Sequence, residues 1–127
     1  MAMMAYAVLG RGMLSDRAPK VEELVADDVR QRLPRFQGAN IDKNLGLRSA
    51  LAVIARSKNA MLAQLSIAWP MAQGKRAGVL IVPIPGAKSR RHLEENVRAA
   101  DIGSQPRIWR KSIAPSHPVP RPGLAIR

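Results

Sequence analysis

Lys88, Ser89, Arg90 and Arg91 follow directly on Pro83, Ile84, Pro85 and Gly86, and residue types in that order suit the binding of a phosphate. If a helix starts at Ser89, its first turn has unpaired amide groups and a partial positive charge, so an anion placed there is already partly satisfied. Lys88, Arg90 and Arg91 add full charges to that turn, where they oppose the helix dipole unless an anion offsets them. Many helices begin near basic residues and hold nothing, so spacing alone leaves a phosphate site and a solvated basic turn both open. Gly10-Arg11-Gly12 is a second place where backbone amides can approach a ligand closely. Beyond these the chemistry is thin. The chain has no cysteine and only two, well separated histidines, which excludes a thiolate nucleophile and argues against a metal site.

The elements that must position these residues follow from pattern. Val79 to Ile84 is a near-continuous apolar run rich in β-branched residues, as a strand covered on both faces reads, and Pro83 and Pro85 predict that pairing fades there. Gly86 is expected to allow a turn that a Cβ would resist. Ser89 can cap a helix running through Val97. Met1 to Leu9 reads as a second buried strand, ended by the Gly10–Gly12 turn. Val21 to Val29 is a short helix candidate behind Pro19, and residues 33–38 read as loop. Ile41 to Arg56 shows helical spacing at Leu45, Leu47, Leu51, Ile54 and Ala55. After a break at Lys58-Asn59, a second helix is expected from about Ala60 to Ala68, with Leu62, Leu65, Ile67 and Trp69 making apolar contacts. Pro70 should end or kink it, leaving Gln73 to Gly78 as loop. Strand, helices, strand, helix is the order of an α/β protein with parallel strands.

A chain of 127 residues favours one domain with a real core, and aromatics at 3% require that core to be aliphatic. Nothing approaches a membrane span or a secretory leader, so a cytoplasmic protein is expected. The net charge of +12 is uneven. Residues 1–74 carry ten Lys and Arg against six Asp and Glu, whereas residues 75–127 carry eleven against three. That asymmetry raises a nucleic-acid partner as an alternative, although no basic helix stripe and few aromatics accompany it. From Gly103 the pattern dissolves into a basic, proline-rich tail, read as irregular or disordered over 103–127.

Four linked segments resemble the aldo/keto reductases, NADP(H)-dependent oxidoreductases built on a (β/α)8 barrel of the TIM type. They are AYAVLGRGMLS (5–15), LPRFQGANIDKNL (33–45), LAQLSIAW (62–69) and IVPIPGAKSRRHLEENVRAADI (81–102). The resemblance makes residues 1–102 a partial reductase domain, with Ala5–Leu9 as the seventh barrel strand and Val79–Ile84 as the eighth, where such barrels hold phosphate in the following loops. It implies that Tyr6 stacks on the nicotinamide and that Leu9, Gly10 and Arg11 cover the pyrophosphate. Gly86, Ala87 and Lys88 would hold the adenosine ribose and its 2'-phosphate. Glu95 and Asn96 match the pair that contacts adenine, and His92 lies where it can touch the adenosine.

The chain also departs from that pattern. Ala7-Val8 replaces the usual Ser-Pro, Ala87 a frequent Thr and Pro70 an ordinary helix former, while residues 75–80 look about four residues longer than usual. The family's Asp, Tyr, Lys and His proton-transfer set belongs to the earlier half of a barrel of about 250 residues. None of those positions occurs here, and Tyr6 is the chain's one tyrosine. The reading is therefore an incomplete α/β barrel with cofactor-contacting segments but no catalytic residue. NADPH would bind weakly if at all, and a small carbonyl substrate would belong only to an intact ancestor. Two strands cannot close a barrel, so a separate chain that completes it is a further alternative partner.

Overall fold

A computed structural model describes residues 1–103. The basic tail beyond them, with Trp109, lies outside the described residues. Two short strands, β1 (Ala2–Ala5) and β2 (Leu80–Pro83), pair in parallel, with Ala2 opposite Leu80 and Ala5 opposite Pro83. Between them run two long helices, α1 (Gly38–Ser57) and α2 (Leu62–Ala77). After β2 come α3 (Arg90–Val97) and α4 (Ala99–Gly103). The expected α/β order with parallel strands is present. Pairing fades at the prolines as anticipated, the last ladder bond running from the Ile84 amide to the Ala5 carbonyl at 3.0 Å.

β1 is shorter than Met1–Leu9 and is not buried: Met3 is 52% and Met4 74% exposed. The strand is apolar because of what it can pair with and pack on, but among the described residues one face of the sheet has no covering layer. Ile81 shows which face is covered, since its side chain meets α2 at Gly74.

The core is small and aliphatic. Ala55, Leu65, Ala68 and Ala72 form its centre, with Ile54, Met71 and Ile102 packed against them. Leu62 and Ile67 are buried as expected, but Trp69 is 47% exposed and Leu47 66% exposed, so neither supplies the contacts that its spacing suggested. The single Phe36 is buried to 1% in a 3-10 turn, Pro34–Phe36, inside the segment read as loop.

Three further departures have local causes. α2 does not stop at Pro70 but continues to Ala77, absorbing the segment read as the loop before β2. A proline removes one N–H and clashes with the preceding turn. Burial of Ala72 and Gly74 on the far side outweighs that local cost, and Gly78, left-handed at φ 68°, closes the helix by donating to the Gly74 carbonyl. Residues 21–29 do not form one helix. They hold a 3-10 turn at Val21–Glu23 and the start of another at Val29–Arg32, because so short a segment has too little to pack against to meet the cost of helix nucleation. α1 begins at Gly38 rather than Ile41, directly after the Pro34–Phe36 turn.

No helix among the described residues is long and apolar enough to cross a membrane, and no group of three potential metal ligands occurs there.

Candidate functional site

Parallel pairing makes both strands exit at the same edge of the sheet, and the two candidate phosphate segments begin there. After β1, Tyr6 stands 79% exposed, and the chain turns through Ala7, Gly10, Arg11 and Gly12 at φ 54°, 57°, 58° and 95°. Ala7 and Arg11 are left-handed without being glycine, a conformation that costs roughly 1–2 kcal/mol per residue and persists only where its surroundings hold it. The Gly10 amide donates to the Ala7 carbonyl at 2.8 Å and the Gly12 amide to the Leu9 carbonyl at 3.0 Å. The turn therefore consumes the two glycine amides that the spacing seemed to offer a ligand. What it presents instead is the exposed Arg11 side chain, for which no carboxylate partner occurs among the described residues.

After β2, Gly86 is not left-handed, and a Cβ added there would meet nothing within 4 Å. The fold itself does not require glycine at this turn, contrary to expectation, but a glycine leaves open space beside Ala87 and Lys88, both exposed. Ser89 caps α3 as predicted, its hydroxyl oxygen accepting from the His92 amide at 3.2 Å. Arg90 pairs with Glu94 at 3.0 Å and Arg91 with Glu95 at 3.5 Å, each one turn on. Two of the three clustered cations thus have their own counter-charges. Lys88 forms no ion pair among the described residues, although its charge acts on the Asp28 carboxylate, and it is the least engaged cation of the three. His92 is exposed, its Nε2 3.3 Å from an Arg91 nitrogen.

Deeper on α3 the character changes. The Glu95 side chain is 18% exposed, and its carbonyl accepts from Gln64 Nε2 at 3.1 Å, which fastens α3 to the start of α2. Asn96 is 9% exposed, and its Nδ2 has no hydrogen-bond partner among the described residues. A buried amide donor without an acceptor costs roughly 1–3 kcal/mol, so the site is chemically suited to a ligand that brings an acceptor.

Sequence reasoning missed two anchors of this region. Asp28 caps the 3-10 turn at Val29–Arg32 by accepting from the Arg30 amide at 2.9 Å, and it also grips the Arg30 guanidinium, with Nε to Oδ1 at 2.9 Å. Those hydrogen bonds from Arg30, with help from the Arg30 and Lys88 charges, hold the Asp28 carboxyl down at about 2. A Cβ added at Gly12 would lie 3.6 Å from Arg30 Nη1, so this clamp stands beside the first turn. The second anchor is Asp16, whose side chain accepts from the Leu62 amide at 3.2 Å while its carbonyl, with that of Ser15, accepts from Arg48. An Asx cap is visible at Asp28-Val29-Arg30 in hindsight. The Asp16 contacts join residues more than thirty positions apart and leave no local signal.

The family model for the aldo/keto reductase family matches residues 1–106. Aldo-keto reductase yakc [NADP(+)] of Schizosaccharomyces pombe is 39% identical over 100 residues, covering 79% of this chain and 28% of that protein. Aldo-keto reductase str7 of Strobilurus tenacellus is 36% identical over 100 residues, covering 79% and 29%. The chain thus matches less than a third of the length of these curated relatives, and the match with the family extends four residues past Ile102.

Proposed function

Because this chain belongs to the aldo/keto reductase family, we propose that it supplies the NADP(H)-gripping end of a carbonyl oxidoreductase and not its reaction centre. β1 and β2 are the seventh and eighth strands of a (β/α)8 barrel in this reading. The observation that carries it is the shared exit edge of the two strands, which launches the Tyr6–Gly12 and Pro85–Ser89 segments side by side. One relative bears NADP(+) in its name, which supports the choice of dinucleotide.

When bound, NADPH supplies the hydride. The exposed Tyr6 ring offers a stacking face for the nicotinamide, and Arg11 neutralises the pyrophosphate in place of the internally bonded glycine amides. Gly86 and Ala87 would leave room for the ribose, and Lys88, which has no ion pair among the described residues, would meet the 2'-phosphate. Asn96, whose buried Nδ2 lacks an acceptor, and Glu95 would contact the adenine, with His92 at the rim. No residue here is assigned to proton transfer: Tyr6 is the only tyrosine and is already placed on the cofactor. A small carbonyl compound therefore needs groups that these 127 residues do not carry. We place the protein in the cytoplasm, where a cysteine-free chain and a soluble dinucleotide are compatible.

Equilibrium titration of residues 1–127 with NADPH and NADH tests this. Wild-type protein should prefer NADPH, and Lys88→Met should reduce that preference by roughly ten- to a hundredfold, as loss of a charge-assisted hydrogen bond of roughly 1.5–3 kcal/mol implies. Equal affinity for both dinucleotides, or carbonyl reduction at the rate of a full-length reductase, would overturn the proposal.

A further inference from the structure

We propose that Arg48, in the middle of α1, is a positioning residue for the dinucleotide: it clasps the far end of the segment that leaves β1 and so holds Arg11 in place for the pyrophosphate. The inference rests on the functional reading above and adds to it a residue that touches no part of the cofactor.

The segment between Tyr6 and Asp16 is strained. Its near end is fixed by the ladder, where the Ile84 amide donates to the Ala5 carbonyl. Ala7 and Arg11 are then left-handed at φ 54° and 58°, and neither is glycine. Such residues relax to ordinary backbone unless the structure on both sides holds them. From Arg11 onward the turn is continuously hydrogen-bonded: the Met13 amide donates to the Gly10 carbonyl, Leu14 to Leu9 and Ser15 to Gly12. The Ser15 hydroxyl lies 2.7 Å from the same Gly12 carbonyl. What fixes Ser15 therefore fixes Arg11.

Arg48 fixes Ser15. Its Nη2 donates to the Ser15 carbonyl at 2.9 Å and to the Asp16 carbonyl at 2.5 Å. The Asp16 side chain in turn accepts from the Leu62 amide, so the joint ties the turn to the starts of two different packing surfaces, α1 and α2. Arg48 is half-buried, forms no ion pair among the described residues, and carries a buried Nε with no acceptor there. A guanidinium out of water without a carboxylate is a costly way to stabilise a fold. What this one secures is the path of a single loop.

The pyrophosphate is common to NADPH and NADH, whereas the 2'-phosphate assigned to Lys88 belongs to NADPH alone. Arg48→Met should therefore weaken both dinucleotides alike, by about tenfold, and leave the ratio of their affinities unchanged. A double-mutant cycle separates positioning from a general loss of stability. In an Arg11→Met background the substitution should cost less than about twofold, because the side chain it places is gone, and in a Lys88→Met background it should keep its full cost. Arg48→Lys, whose ammonium can still reach a carbonyl, should recover part of the affinity. Circular dichroism checks folding, and if Arg48→Met does not fold the lysine variant carries the cycle. Equal costs in the wild-type and Arg11→Met backgrounds, or wild-type affinity in both Arg48 variants, overturn the inference.

A second arm needs no dinucleotide. Amide exchange at residues 12–15 should quicken at least about tenfold in the Arg48 variants while the amides of α3 keep their rates, and unchanged exchange there overturns the inference by itself. A wild-type chain that binds both dinucleotides equally defeats the choice of NADPH and leaves the cycle readable. A normal preference with additive costs defeats the role of Arg48 alone, and a chain that binds neither dinucleotide defeats both.

Discussion

Asp28 shows how one side chain can decide the shape of the candidate site. Arg30 draws its carboxyl from an ordinary value near 3.8 down to about 2 in the folded chain. A carboxylate whose pKa is lower folded than unfolded contributes stability above the unfolded value and loses it as pH falls through the folded one. Protection of residues 9–14 against hydrogen exchange should therefore decline between about pH 4 and pH 2, and Asp28→Asn should remove that acid limb while lowering protection at neutral pH. An unchanged profile in the variant would show that the clamp does not support the turn. Ser89 was readable from sequence because a cap acts within three residues. Lys88, Arg90 and Arg91 were readable as a cluster, but not which of them form ion pairs, because that depends on Glu94 and Glu95 lying one helical turn on.

α2 is where sequence and structure disagree most. Pro70 is a strong local stop signal, and Trp69 beside it has the character of a core residue, yet the helix continues and the tryptophan is half exposed. The cause is tertiary. Downstream of Pro70, Gly74 lets β2 approach so closely that an added Cβ would lie 2.6 Å from the Val79 carbonyl oxygen and 2.7 Å from Ile81 Cγ1. Gly74→Ala should therefore destabilise the chain by about 1–2 kcal/mol, despite the helix propensity of alanine, because overpacking against a backbone carbonyl has no flexible neighbour to yield. Pro70→Ala should act oppositely, restoring one intrahelical bond and adding about 1–3 kcal/mol. Thermal unfolding of the two variants checks both signs. α1 and α3 were legible because their spacing or caps are local. The span of α2 was not, since packing on β2 overrides the proline.

At the scale of the whole molecule, the described residues form a small aliphatic core and a sheet with one apolar face that none of them covers. The parallel pair and the shared exit edge could be read from the order of elements and from the family resemblance, whereas the exposure of β1 could not, because an apolar strand looks the same whether its second layer is present or absent. The chain alone should bind a hydrophobic dye such as ANS, and a partner that covers the face should displace it. Dye binding that persists in a stable complex would place the partner elsewhere.

The register has one more effect, and it concerns time. Ala2 pairs with Leu80, almost eighty positions later. At roughly 5–20 residues per second, a ribosome takes on the order of ten seconds to synthesise that span. For that interval the apolar β1 segment waits without β2, as extended apolar peptide of the kind that chaperones bind.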